Sequence, residues 1–290
     1  MRSQDQQLLM ETRFASPASI ATLAKDRRLG PSLDGSSRLL IIAADHAARG
    51  VLNAGNHEDA MWSRYDLLDR LVTALSVPGV DGVLGTPDVI EDLLILRALE
   101  DKLVFGSMNR GGLPGAVFEL DDRFTGYTPK SIVESKLDGG KMLLRINYED
   151  PGTVATLAAC ADAVTQLAAA RKVAMLEPFM NQLVNGKPKN VLTTEAIIRS
   201  MAIASALGAT SAFSWLKIPV LEEMERVVEA STLPIVLLGG ERSEQPDELF
   251  ARWERALKLP GVRGLVVGRN LLYPPDNDVA AAVKTALSLL

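Results

Sequence analysis

The sequence predicts an α/β protein folded as a single (βα)8 TIM barrel with an N-terminal helical extension. Three observations carry that prediction. Short apolar runs alternate with longer amphipathic segments, eight such runs can be counted, and 290 residues suffice for one barrel core. The candidate strands are Leu39–Ala44, Gly82–Gly85, Leu103–Ser107, Met142–Ile146, Val173–Leu176, Phe213–Ile218, Ile235–Leu238 and Gly264–Val267. Most are continuous apolar runs, as parallel strands buried on both faces require.

Helical patterns fill the intervals: Arg64–Leu75, Pro87–Leu99, Pro129–Asp138, Pro151–Arg171, Thr194–Leu207, Pro219–Ala230 and Asp247–Leu257. Several open on a capping residue or an early proline, as at Thr86-Pro87-Asp88, Thr128-Pro129, Asp150-Pro151 and Thr193-Thr194-Glu195. No Pro/Ser-rich linker divides the chain, so residues 38–290 read as one barrel and residues 1–37 as an added segment. A helix over Pro17–Lys25 is expected to cover the barrel's N-terminal end. The long, Gly-rich loop Asn109–Tyr127 fits a lid over the mouth as well as it fits an insertion without a role.

Composition narrows the function. The formal net charge is −5 and no dense Lys/Arg run stands out, which argues against nucleic acid as a partner. No apolar stretch reads as a membrane span, and MRSQDQQLLMETRF lacks the apolar core of a signal peptide. Cys160 is the only cysteine; it sits in an Ala-rich helical pattern and reads as core. An internal disulfide is therefore impossible, which fits a reducing cytoplasm. A soluble cytoplasmic homo-oligomer acting on a small molecule is the expectation.

Chemistry in this fold sits at the C-terminal strand ends and the loops that follow them. The first strand ends at Asp45-His46, and the fourth carries Arg145, Asn147 and Tyr148. The fifth ends at Glu177-Pro178 and the sixth at Lys217. A lysine closing an apolar strand is informative, because burial disfavours the ammonium and free amine attacks carbonyls to give a Schiff base. It is equally the pattern of a lysine paired with a carboxylate or snorkelling to solvent. Two carboxylates, a guanidinium and a lysine around one mouth favour acid–base chemistry. After the seventh and eighth strands come Gly239-Gly240-Glu241-Arg242 and Gly268-Arg269-Asn270. Glycines there let backbone N–H groups approach a phosphate, with Arg269 and Arg242 adding charge-assisted hydrogen bonds. His46 and His57 are the only histidines, and no Cys/His cluster or HExxH spacing exists, so neither a metal nor another cofactor is expected. His46 reads as a strand-end hydrogen-bonder and His57 as a surface loop residue.

The segments AADHAARG, LLRINYEDP, LEPF, LKIP, LLGGE and VVGRN, in that order from about Leu39 to Leu272, resemble the superfamily of Schiff-base (βα)8 aldolases. That superfamily includes deoxyribose-phosphate, bacterial fructose-bisphosphate and tagatose-bisphosphate aldolases. The chain looks closest to an aldolase-like subgroup associated with sugar and inositol breakdown. The resemblance implies that Lys217 forms the imine and that Asp45 and Glu177 are the first- and fifth-strand carboxylates. A fourth-strand lysine usually completes the set; Arg145 is read in its place, with Tyr148 as a second candidate for proton transfer. The implied activity is cleavage of a carbon–carbon bond in a phosphorylated sugar or sugar acid. Two other classes remain open: a metal-assisted lyase or isomerase using Asp45, His46 and Glu177, and a phosphosugar-binding barrel without turnover.

Overall fold

The computed structural model describes residues 1–33 and 38–290. Eight parallel strands close a barrel: β1 (Leu39–Ala44), β2 (Gly82–Gly85), β3 (Leu103–Ser107), β4 (Gly139–Ile146), β5 (Val173–Val184), β7 (Ser214–Ile218), β8 (Ile235–Leu238) and β9 (Val262–Val267). Each pairs with its chain neighbours, β1 closes on β9, and β4 joins β5 to complete the ring. The predicted (βα)8 barrel is thus the observed one.

One element departs from the simple alternation. β5 runs on for 12 residues and turns at Asn185-Gly186 into an antiparallel arm, β6 (Lys187–Asn190). Asn185 and Gly186 both have positive φ, 53° and 73°, the backbone a two-residue hairpin needs. The arm projects from the C-terminal end of β5 and so stands beside the barrel mouth.

Alternate residues of each strand face the barrel axis. Leu39, Ile41, Ala43, Leu84, Leu103, Phe105, Val173, Met175, Val236 and Val266 form one buried cluster there, with Phe105 and Trp215 tilted 5.8 Å apart. Burying each such large side chain contributes about 1.5–3 kcal/mol. The outward residues pack under the helices in a second, larger core. The polar residues of the interior come after these apolar layers, at the upper strand ends.

The helices follow the predicted order with trimmed ends: α3 (Arg64–Ser76), α4 (Pro87–Ile95), α5 (Pro129–Glu134), α6 (Gly152–Ala169), α7 (Thr194–Ser205), α8 (Met224–Glu229), α9 (Pro246–Leu257), α10 (Arg269–Leu272) and α11 (Val279–Leu287). Thr128 and Thr193 cap α5 and α7 through their side chains. α6 has the length and mean hydropathy, 1.2, of a membrane span, contrary to the reading that no stretch does. It packs on β4 and β5 and buries Cys160, Ala163, Val164 and Leu167. Burial pushes the Cys160 thiol up to about 12.

The N-terminal segment forms α1 (Ser3–Ala15) and α2 (Ser19–Asp26), both packed against α4 on the barrel's flank. The helix expected to cover the barrel's N-terminal end does not do so; the stretch after it does. Buried Arg27 donates to the Lys102 and Lys136 carbonyls below β3 and β4, and Leu33 packs against the interior cluster. The boundary at residue 37 lies outside the described residues.

Candidate active site

Four interior side chains, three from strands and one just past a strand end, form a continuous polar chain above the apolar layers. Lys217 of β7 donates from Nζ to Glu177 Oε1 of β5 at 2.5 Å. The other carboxylate oxygen of Glu177 pairs with Lys141 of β4. Lys141 Nζ lies 3.3 Å from Asp45 Oδ2, just past the end of β1. All four residues are buried.

Two groups anchor Asp45. Ser107 Oγ, at the end of β3, donates to its Oδ2 at 2.9 Å. Arg110 pairs with the same oxygen at 2.8 Å and also bonds the Asp45 carbonyl through Nε and Nη2. A buried carboxylate so surrounded stays ionised. Burial alone would raise Asp45, but the Arg110 and Lys141 charges hold it well below the usual carboxylate range. Burial opposes ionisation of Glu177 too, and Lys141 and Lys217 overcome it, bringing its pKa down to about 2. Lys141 is lowered, chiefly by burial and further by Arg110 and Lys217, although Asp45 and Glu177 pull the other way.

This arrangement corrects the sequence reading of the fourth strand. The lysine of β4 is Lys141, in the Gly139-Gly140-Lys141 run, which precedes the predicted strand Met142–Ile146 and belongs to the observed one. Arg145 is on the same face but nearer the mouth, and it does not reach Glu177. Its guanidinium holds buried Asp122 at 2.8 and 2.7 Å and bonds the Glu119 carbonyl. It is therefore the anchor of the 109–127 loop, a segment also pinned by Asn109 bonding both backbone groups of Leu143. Tyr148 is 69% exposed and is not among the residues that line the cavity beside Lys217, so the structure does not bring the two together.

A cavity of about 510 Å³ opens over the chain of four, lined by Asp45, Glu177 and Lys217 on one side and Gly239, Gly240, Gly268 and Arg269 on the other. The expected phosphate loops therefore do face the lysine. Arg269 donates from Nη2 to the Gly240 carbonyl at 3.2 Å, and its buried Nε has no partner. An unsatisfied buried guanidinium nitrogen is costly unless an acceptor arrives. Arg242 is not part of this wall; it lies behind the loop, paired with Glu244 at 2.8 Å. Arg49, which follows β1, and Lys189 of the β6 arm also line the cavity. Burial and the nearby Arg145 charge lower Arg49 to about 10. Arg110, Lys141, Arg49 and Lys189 were not singled out from sequence.

His46 sits half-buried in the same cavity, and burial pushes its pKa down to about 3; Asp45 pulls it up, while Arg269, Arg110 and Lys217 add repulsion. The carboxylates read as possible metal ligands beside it are already engaged with lysines and Arg110. Among the described residues no group of three His, Cys, Asp or Glu side chains gathers as a ligand set. His57 is exposed on its loop.

The depressed His46 and Glu177 values set a pH prediction. The unfolded chain binds these protons near the ordinary values of 6.5 and 4.5, the native protein only near 3 and 2. Stability is therefore complete above about pH 6.5 and is lost as pH falls towards 3. Each proton contributes a slope of up to about 1.4 kcal/mol per pH unit. Thermal melts of wild type and His46→Gln should diverge between pH 6.5 and 4.5, with the variant less acid-sensitive. Parallel curves would mean that His46 is not held neutral.

The fold and this site define a (βα)8 barrel with a lysine–carboxylate mouth. The chain belongs to the Cgl0159-like family, which matches residues 37–287. It is similar to Cgl0159 from Corynebacterium glutamicum (Brevibacterium flavum), with 55% identity over 100% of this chain and 97% of that one and a TM-score of 0.96. An archaeal fructose-1,6-bisphosphate aldolase, solved with its catalytic lysine bound to the carbinolamine intermediate, shares 16% identity over 87% of this chain and 94% of its own, TM-score 0.63. The fructose-bisphosphate aldolase of Slackia heliotrinireducens shares 15% over 95% and 91%, TM-score 0.64. At these identities the two aldolases show the shared barrel fold. No curated protein sequence matches the chain.

Proposed function

We propose that this protein is a Schiff-base aldolase, a carbon–carbon lyase acting on a phosphorylated sugar or sugar acid, with the imine on Lys217. The observation that carries the reading is the unbroken buried chain Asp45–Lys141–Glu177–Lys217 beneath the cavity. A purely structural ion-pair network rarely faces an open mouth, because two buried lysines cost more to desolvate than a packed apolar pair. Here the outer lysine lines the cavity.

In this reading Lys217 gives a proton to Glu177, its amine attacks the substrate carbonyl carbon, and a second proton passes from the nitrogen to the carbonyl oxygen to give the carbinolamine. The carbinolamine hydroxyl takes a proton from Glu177 and leaves as water, giving the iminium. Asp45, ionised and fixed by Arg110 and Ser107, accepts the proton of the substrate hydroxyl as the carbon–carbon bond breaks, directly or through Lys141. The bonding pair enters the iminium and leaves an enamine. Lys141 touches both carboxylates, so it can return protons between the two ends of the chain. Protonation of the enamine carbon and hydrolysis of the imine then restore Lys217.

The cavity wall opposite supplies the phosphate locus. Backbone groups of Gly240 and Gly268 with the partnerless Arg269 nitrogen suit an oxyanion. Arg269→Ala should weaken binding of phosphorylated substrates about ten- to a hundredfold, a charge-assisted contact of about 1.5–3 kcal/mol. Unphosphorylated analogues should lose little; equal losses for both would mean that Arg269 only braces the barrel. A panel of phosphorylated ketoses, deoxy sugars and keto acids, assayed for aldehyde release with and without chelator, tests the reaction class. Chelator-insensitive cleavage of at least one member is expected. Chelator-sensitive turnover would favour a metal-assisted reaction, and binding without turnover across the panel would favour a binding barrel.

A further inference from the structure

The sequence places Arg242 beside the substrate-phosphate glycines, yet its side chain lines a different cavity. That cavity, of about 310 Å³, lies behind the 239–243 loop, between the turn at residues 54–57 and the segment after α10. Arg70, Arg242, Tyr273, His57 and Asn277 line it, with Pro274 among its apolar walls. None of these residues lines the active-site cavity.

The donors here are under-used. The Arg242 side chain is 6% exposed, yet it lends only Nη1, to a Glu244 carboxylate that is 54% exposed. Arg70 uses Nε for Asp66 and Nη1 for the Leu272 carbonyl, and its guanidinium lies 4.5 Å over the Tyr273 ring. Among the described residues, Arg242 Nε and Nη2 and Arg70 Nη2 have no acceptor. The buried Tyr273 hydroxyl has none either. The carboxylate partners of both guanidinium groups, Glu244 and Asp66, are 54% and 43% exposed, so an incoming oxyanion displaces or joins them at small cost.

The surroundings are shaped around this pair. The turn is closed by reciprocal bonds, Ala54 N to His57 O at 3.0 Å and His57 N to Ala54 O at 3.2 Å. Gly55 has φ 58°, and a Cβ there would come within 2.9 Å of Glu244 and 3.0 Å of Arg242. The loop bearing Arg242 is braced from the other side, where Asn270 bonds the Gly239 and Glu241 carbonyls and accepts from Ser243 N.

We propose that this cavity is a second oxyanion site, set back to back with the active-site mouth, that takes a small phosphate-bearing molecule. Two guanidinium groups, a tyrosine hydroxyl, an amide and an imidazole offer more donors than a carboxylate can accept and suit a tetrahedral dianion. The volume is that of a small-metabolite pocket.

The test uses tungstate, a heavy tetrahedral oxyanion, in crystals, and inorganic phosphate in solution. Wild-type crystals should show an anomalous peak between Arg70 and Arg242, absent in Arg242→Gln. Calorimetric phosphate titration of Arg269→Ala, in which the active-site locus is weakened, should show saturable binding that Arg242→Gln weakens about tenfold or more. Arg242→Lys should restore part of it. No peak in the cavity, or a peak and affinity indifferent to Arg242→Gln, overturns the proposal. A peak without saturable binding in solution means an adventitious ion only and overturns it too. Tungstate missing from the Arg269 wall alone would speak against the substrate locus and leave this site standing.

Discussion

Lys217→Ala is expected to reduce kcat by about 10⁴-fold or more, the scale on which enzymes lose rate when a covalent nucleophile is removed. The fold should survive. Glu177 keeps Lys141 as its partner, so the change leaves no uncompensated buried charge. Circular dichroism should be unchanged and the melting temperature should move by a few degrees at most. Turnover within tenfold of wild type in a folded Lys217→Ala protein would remove Lys217 from the chemistry.

The second large effect belongs to Lys141, which lies between the two carboxylates and whose pKa burial lowers. Lys141→Met should lower kcat by about 10²–10⁴-fold, as expected for a positioned proton-transfer group, and should flatten the alkaline limb of the kcat profile. Lys141→Arg should restore stability without restoring rate, because arginine keeps the charge but does not release a proton. Both carboxylates retain another partner in these variants, Asp45 through Arg110 and Glu177 through Lys217. Imine formation at Lys217 should therefore persist while turnover falls. Near-normal kcat with a lowered melting temperature would instead make Lys141 a structural link.

The sequence was most legible where a local pattern and the fold agreed. Continuous apolar runs separated by capped amphipathic helices fix both the strand character and the barrel topology, and all eight barrel strands lie where those runs lie. Asp45, Glu177 and Lys217 could be singled out because each ends or closely follows an apolar run, where a charge is costly unless used or paired. Lys141 was missed because Gly139-Gly140 before it resembles a turn. The glycines belong to the strand: a Cβ at Gly139 would come within 2.9 Å of Phe105, and Met108 occupies the space beside Gly140. Its signal was the period of two that puts Lys141, Leu143 and Arg145 on one face. The β5–β6 arm was missed because its polar upper half breaks the apolar run, although Asn185-Gly186 marks the turn. Arg110 sits in a loop, and its two bonds to the Asp45 carbonyl depend on tertiary placement that no local pattern encodes. Arg242 shows the converse: adjacency to Gly239-Gly240 suggested a shared ligand, while the loop turns its side chain to the opposite face.

The central claim, that Lys217 forms an imine, is tested most directly by borohydride reduction during turnover. The wild-type protein is mixed with each carbonyl substrate of the panel, reduced, and read by intact mass and peptide mapping. A single adduct of substrate mass on the peptide Trp215–Pro219, absent in Lys217→Ala and retained in Lys141→Met, is the predicted result. Turnover of a substrate with no trapped adduct, or an adduct mapped to Lys141 or Lys189, would contradict it.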